Sequence, residues 1–158
     1  MTPRTQKAII AALVTTTITV AVVEVCVLSV FGFLVGAAVV GHRAATRAGY
    51  EAATLQNLKT IAAVEAQYFH SHNRTFGTVD QLVNELSLSS KFRGHPAVVD
   101  GYVFTLTLAP KPDGSSWYKI TADPQSESTG TRHFYLDSDD HRLRVNPERQ
   151  AGPTDPFD

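Results

Sequence analysis

The chain has little cysteine and no excess of charge. Cys26 is the single cysteine among 158 residues, which excludes an intrachain disulfide and a metal site built on several cysteine thiolates. The 14 basic and 15 acidic residues nearly balance, and the formal net charge is -1. Because a nucleic-acid-binding protein usually carries a basic surplus, no nucleic-acid partner is expected.

Charge is almost absent from the N-terminal part of the chain. From Ala8 to Gly41 the only charged side chain is Glu24. This run is longer than the roughly 20 apolar residues that a transmembrane helix needs. We therefore expect a short cytoplasmic N-terminus over residues 1–7 and a hydrophobic transmembrane or assembly helix over residues 8–41. The run would cross the membrane once with lipid as a partner, and charge does not settle its orientation, since Arg4 and Lys7 precede it and Arg43 and Arg47 follow it.

Helix-breaking residues are scarce in the next segment. Residues 42–70 contain no proline and one glycine, Gly49, and they are rich in alanine, leucine and glutamine. Apolar residues recur at intervals of three and four, which predicts an amphipathic helix over residues 43–70 that continues the hydrophobic helix. We expect Glu65 to lie away from its apolar face, whose members are Leu55, Leu58, Ala62, Ala66 and Phe69.

The apolar period changes to two after residue 101, which predicts antiparallel strands within residues 101–146. Asp113-Gly114 indicates the turn of a first hairpin, and a second hairpin is expected around Ser138 and Asp139. The predicted core-facing residues are Tyr102, Phe104, Leu106, Leu108, Tyr118, Ile120, Ala122, Phe134, Leu136, Leu143 and Val145.

Between the helix and the strands, Thr78 is expected to cap a short helix over residues 79–86, with Gln81 at the capping-box position. The segment from Ser87 to Gly101 is expected to be a loop, and the proline-rich residues 147–158 an extended tail. The predicted fold class is α+β, with the membrane half and amphipathic half of one long helix packed on three or four antiparallel strands. Residues 42–158 form the soluble domain in this prediction.

No catalytic pattern stands out in the sequence. It contains no glycine-rich phosphate loop, no nucleophile elbow and no paired-carboxylate spacing, so neither an enzyme nor a cofactor is expected. The stretch "LDSDDHRL" brings Asp137, Asp139 and Asp140 together as candidate calcium ligands. Because the spacing of an EF-hand is missing, the alternative is a solvated hairpin turn.

Three stretches together resemble the bacterial type IV pilin and type II secretion pseudopilin family. They are "NLKTIAAVEAQYFHSHNRTFGTVDQL", "GYVFTLTL" and "STGTRHFYLDSDDHRLRV". Members of this family have a short basic leader that ends in glycine and is removed, followed by a glutamate near the new N-terminus. Here no glycine precedes Gly32, so the leader is atypical, and the family's glutamate position falls on Val23, next to Glu24.

The resemblance implies a structural role. The chain would be a subunit or minor component of a type IV pilus-like or type II secretion-like filament, anchored by its N-terminal helix. Its location would be the cytoplasmic (inner) membrane, with the C-terminal domain periplasmic or extracellular. Its partners would be like subunits or other pilins, contacted through that helix. Glu24 would serve assembly by neutralising the terminal amine of a neighbouring subunit.

Two alternatives remain open. The chain could be a single-pass, membrane-anchored periplasmic or extracellular binding module that does not polymerise. In that case Glu24 would lie near a membrane face without a further role, since a charge at mid-membrane costs about 2.5–3.5 kcal/mol. A small periplasmic hydrolase is the other alternative, but no catalytic constellation supports it.

Overall fold

A computed structural model describes residues 3–94 and 96–158. Within residues 3–40, solvent exposure is described for Glu24, Leu28, Ser29, Val30 and Gly32. Met1 and Thr2 of the predicted cytoplasmic N-terminus, and most side chains of the predicted hydrophobic helix, lie outside the described residues. The chain divides into two compact units, Met1–Ala44 and Ala45–Asp158.

Helix α1 covers Pro3–Ser71, and its residues 45–71 belong to the second unit. In that unit the helix buries one stripe, formed by Thr54, Leu58, Ile61, Glu65 and Tyr68. The spacing of four, three, four and three keeps these residues on one helical face. The hydroxyl of Thr54 donates to the carbonyl oxygen of Tyr50 at 2.9 Å, so this buried polar group is satisfied.

Two short helical segments follow α1. Helix α2 covers Val79–Glu85, and a 3-10 turn covers Ser90–Phe92. The predicted capping box is confirmed: the backbone N–H of Gln81 donates to the Thr78 hydroxyl at 3.3 Å, and the backbone N–H of Thr78 donates to the Gln81 side-chain oxygen at 2.8 Å. The reciprocal pair satisfies two donors that the start of a helix leaves free, which explains why this helix begins after Thr78.

The sheet is an antiparallel meander of five strands in sequential order. The strands are β1 Ala97–Val99, β2 Tyr102–Pro110, β3 Ser116–Pro124, β4 His133–Asp137 and β5 Arg144–Asn146. The predicted core-facing positions are confirmed, because all of them are buried or packed against the core. Leu58, Ile61 and Tyr68 of α1 belong to the same hydrophobic core, and so do Val79 and Leu82 of the α2 segment.

The predicted fold class is wrong. The sheet has five strands rather than three or four, because residues 97–99, expected as loop, form strand β1. The helix of the sheet-bearing unit is limited to residues 45–71. Across the described residues there is no helix with both the length and the apolar character needed to cross a membrane. The predicted combination of a long apolar helix and its amphipathic continuation on the sheet is therefore not seen.

A type of turn that sequence reasoning overlooked creates the extra strand. Val99 of β1 pairs with Tyr102 of β2 across Asp100 and Gly101, whose φ angles are 50° and 75°. Two successive positive φ values suit a tight hairpin turn, in which Asp-Gly is a favoured pair. The Nδ2 of Asn57 and the Nζ of Lys91 donate to the Asp100 carboxylate at 2.9 and 3.3 Å, so the turn is tied to α1. These bonds, the one from Asn57 foremost, lower the pKa of Asp100.

The C-terminal residues fold back on the outer face of the sheet. Phe157 forms a bridge with Arg144 of β5, and the Gln150 side chain donates to Asp123 of β3 at 2.8 Å. The carboxylate of Asp155 accepts hydrogen bonds from the Asn146 side chain at 2.9 Å and from the backbone N–H of Gly152 at 2.8 Å. The stretch expected to be an extended tail is therefore held against strands β3 to β5.

The loop from β3 to β4 packs tightly at the end of the sheet where β2 begins. The phenol of Tyr102 is fully buried and donates to the carbonyl oxygen of Arg132 at 3.0 Å. A Cβ atom on Gly130 would collide with the oxygen and ring of Tyr102. On the helix, Glu51 accepts a hydrogen bond from the backbone N–H of Thr131 at 3.1 Å. Residues of the stretches "GYVF" and "TGTR" therefore connect α1, strand β2 and the β3–β4 loop.

We predict that Gly130→Ala lowers the free energy of unfolding by about 1–3 kcal/mol, the usual cost of overpacking a core. Gly49→Ala is a matched control, because Gly49 lies in α1 with no atom within 4 Å of an added Cβ. It should raise the free energy of unfolding by about 0.5–1 kcal/mol through helix propensity. Urea unfolding followed by the fluorescence of Trp117, the only tryptophan, measures both. Equal effects of the two substitutions would contradict the packing of Tyr102 against Gly130.

Candidate functional site

Glu24, the predicted assembly residue, has an exposed side chain on α1. Leu28 lies one helical turn further along the same face. Leu28 and Val30 are 71% and 60% exposed, and because they are two residues apart they lie on different sides of the helix. The side chain of Leu28 is therefore the exposed apolar group on the face that carries Glu24, among the side chains described there.

The three candidate calcium ligands lie together in the turn after β4, but each carboxylate has its own partner. Asp137 is buried and accepts hydrogen bonds from the Tyr135 hydroxyl at 2.9 Å and from the backbone N–H of Asp139 at 3.0 Å. Asp139 itself pairs with Lys111 at 3.0 Å, and Asp140 pairs with Arg144. These contacts stabilise the turn.

The described residues contain no cluster of three or more His, Cys, Asp or Glu side chains that could hold a metal ion. The backbone N–H of Arg142, followed by the Arg144 guanidinium, lowers the pKa of Asp140. Both partners favour the ionised carboxylate, so Asp140 is already hydrogen-bonded and ion-paired within its own hairpin.

Glu65 is a titratable group that lies fully buried in the core of the second unit. Its side chain is fully buried in α1, between Ile61 and Tyr68 of the core stripe. One carboxylate oxygen accepts the backbone N–H of Gly77 at 2.9 Å, whereas the other oxygen has no hydrogen-bond partner. Gly77 is close-packed as well, since an added Cβ would lie 2.9 Å from the side chain of Leu82. The expectation that Glu65 lies away from the apolar face is wrong.

Burial governs the ionisation of Glu65. Desolvation raises its pKa from 4.5 to about 7, and the hydrogen bond from Gly77 opposes this rise. The nearby phenol of Tyr118 is also fully buried, and its oxygen has no hydrogen-bond partner. Burial, followed by the charge of Glu65, raises the pKa of Tyr118 as well. The core therefore holds an acid poised to change charge near neutral pH.

A cleft of about 350 Å³ opens at the end of the sheet where α1 ends. Topology brings three segments together there: the last turn of α1, the β2–β3 turn and the β4–β5 connection. The cationic side chains on its wall are Arg74 and Lys111, and Asp113 is its one lining carboxylate. The full lining is Ala66, Phe69, His70, Arg74, Phe76, Lys111, Asp113, Ser115, Ser116, Ser138 and His141.

Hydrogen bonds within the second unit fix the hydroxyls of this cleft. The Ser116 hydroxyl accepts the backbone N–H of Phe76 at 2.6 Å, and the Ser138 hydroxyl accepts that of Tyr118 at 3.2 Å. The Ser115 hydroxyl donates to Asp113 at 2.5 Å. Because these serines already bind their neighbours, they position the walls and are poorly suited to act as nucleophiles.

A second cleft, of about 370 Å³, lies where the β3–β4 loop approaches α1. Its lining mixes charges, with Arg47 and His133 opposed by Glu127 and Glu148. His133 contacts the Asp123 carboxylate at 2.6 Å. The mixed charge offers no single preference for an anion or a cation.

Comparisons of the chain with protein-family models, with curated proteins and with solved structures find no significant match.

Sequence reasoning missed both Glu65 and the cleft at the end of α1. The spacing of Glu65 from Leu58, Ile61 and Tyr68 was a signal for its burial, because residues seven, four and three positions apart lie on one helical face. The cleft had no comparable signal. Its lining comes from three segments, of which the first and the last, residues 66–76 and 138–141, are more than 60 positions apart. Only the order of the strands brings them together.

We predict that Glu65 makes the protein less stable as the pH rises from 5 to 8. A raised pKa means that the folded state keeps the proton longer, so the stabilisation is complete below about pH 4.5 and is lost as the pH passes about 7. The interval between 4.5 and about 7 corresponds to roughly 3 kcal/mol of unfolding free energy.

Urea unfolding of the wild type and of Glu65→Gln, measured at intervals from pH 5 to 8, checks this prediction. The glutamine retains an acceptor for the Gly77 N–H but does not titrate, so the pH-dependent difference between the two proteins isolates Glu65. Glu127→Gln, at an exposed position, is the matched control and should keep the wild-type pH dependence. A Glu65→Gln profile parallel to that of the wild type would contradict the burial of an ionisable group.

Proposed function

We propose that this protein is a structural subunit or minor component of a type IV pilus-like or type II secretion-like filament, assembled through its N-terminal helix. The observation that carries the proposal is the exposure of Leu28, one helical turn from Glu24 on the same face of α1. An apolar side chain at 71% exposure favours burial against another apolar surface. The helices of like subunits would supply that surface.

Glu24 has a specific role in this proposal. A carboxylate among apolar side chains is costly unless a positive group pairs with it. A terminal amine or another cation from a neighbouring subunit would supply that charge and set the register between two helices. Before assembly, the N-terminal segment would lie in the cytoplasmic membrane and residues 45–158 outside it. Subunits would enter the filament from this anchored state.

The arrangement of the second unit supports a role in display. Residues 45–158 have a hydrophobic core of their own. A unit with its own core can be carried on an assembling helix without being rebuilt on assembly. Its clefts would then face outwards on a filament or a membrane.

We predict that cysteine placed at position 28 crosslinks between copies. In a Cys26→Ser background, Leu28→Cys should give a disulfide-linked dimer on mild oxidation of native membranes, detected on a non-reducing gel. Lys59→Cys is the matched control, since Lys59 is exposed on α1 in the second unit and should give little dimer. Adding Glu24→Gln to Leu28→Cys should lower the dimer yield roughly tenfold, equivalent to ~1.4 kcal/mol.

Two outcomes would count against assembly. A dimer yield for Leu28→Cys no higher than for Lys59→Cys would contradict a packed interface between copies at position 28. Recovery of the protein in the membrane fraction alone, with none in the sheared surface fraction, would favour the anchored, non-polymerising binding module instead.

A further inference from the structure

The cleft at the end of α1 combines positive charge with an aromatic wall. Arg74 and Lys111 outnumber Asp113, and the imidazoles of His70 and His141 also line the cavity. The ion pair between Arg74 and Asp113 is loose, at 3.9 Å, and its side chains are 71% and 55% exposed. A ligand anion could therefore approach Arg74 without breaking a buried pair.

Backbone hydrogen bonds close the chain just after the end of α1. The carbonyl oxygen of Phe69 accepts the N–H of Arg74 at 3.1 Å, and that of His72 accepts the N–H of Thr75 at 3.0 Å. The bond to Phe69 occupies one of the last four carbonyl groups of α1, and His72 lies just beyond the helix. Lys111 pairs with Asp139 at 3.0 Å, with side chains 41% and 62% exposed, so both cations of the cleft belong to exposed ion pairs that a ligand anion can displace.

Aromatic rings form the apolar part of the cleft. The rings of Phe69 and Phe76 are stacked with their centroids 4.6 Å apart, and Phe76 meets Tyr118 edge-on at the same distance. Phe69 and Phe76 are only partly buried, so part of their surface is available inside the cleft. A volume of about 350 Å³ lies at the small end of the range for ligand pockets.

We propose that this cleft binds a small organic anion. Its carboxylate or phosphate lies against Arg74 and Lys111, and its flat apolar body lies against Phe69 and Phe76. Guanidinium and ammonium groups both bind oxyanions, and the guanidinium of Arg74 can do so with two hydrogen bonds. The assignment is independent of filament assembly, because every lining residue lies in the second unit.

Isothermal titration of the full chain in a non-ionic detergent tests the assignment with benzoate, phenyl phosphate, inorganic phosphate and benzyl alcohol. At least one aromatic anion should bind with a millimolar or lower dissociation constant. Inorganic phosphate should bind at least tenfold more weakly, and benzyl alcohol should not bind measurably. The comparison of benzoate with phenyl phosphate identifies which oxyanion is preferred.

The double variant Arg74→Gln, Lys111→Gln should weaken binding of the preferred anion at least tenfold. Arg43→Gln, Lys59→Gln removes the same charge from exposed positions outside the cleft and should leave binding unchanged. Trp117 fluorescence and thermal unfolding verify that both variants are folded. Because a damaged fold could mimic a lost site, the wild type is also titrated in 50 and 500 mM salt, where binding should weaken with salt.

Absence of binding by both aromatic anions would overturn the proposal. So would equal losses in the two double variants, or tighter binding of benzyl alcohol than of the anions.

Discussion

The packing of one helical stripe on one face of the sheet is the constraint on which the second unit depends. Leu58, Ile61 and Tyr68 cover strand residues such as Tyr102 and Ile120. Burying a large apolar side chain contributes roughly 1.5–3 kcal/mol, so this shared core outweighs any single polar contact. A meander of sequential strands needs such a cover, because one face of the sheet would otherwise expose its apolar side chains.

Polar contacts then decide where helix and sheet meet. Glu65 holds Gly77 and with it the start of α2, Asn57 holds the β1–β2 turn through Asp100, and Glu51 holds the β3–β4 loop through Thr131. The three side chains lie along one helix and reach three different connections. Hydrophobic packing is non-directional, whereas these bonds require particular atoms at particular distances, so they select one register.

The two ends of the unit therefore differ in character. At one end, Tyr102 and Gly130 are packed so closely that no side chain can be added. At the other, three connections leave an open cleft between aromatic and basic residues. Loops on a rigid scaffold are common positions for recognition, which agrees with ligand binding at the open end and structural linkage at the closed one.

Local pattern was sufficient for much of the second unit. The period-two residues of β2 and β3, the Asp113-Gly114 turn and the Thr78 cap could all be recognised in sequence, because each depends on neighbours a few positions apart. Strand β1 could not, since three residues are too short for a period and its turn was not recognised. The spacing of Glu65 indicated its helical face, but its hydrogen bond with Gly77, the folding back of Asp155 onto β5 and the meeting of Arg74 with Lys111 depend on residues farther away. These contacts form only when the sheet packs on the helix. The tertiary fold therefore determined them, because a local sequence pattern carries no information about which distant residues meet.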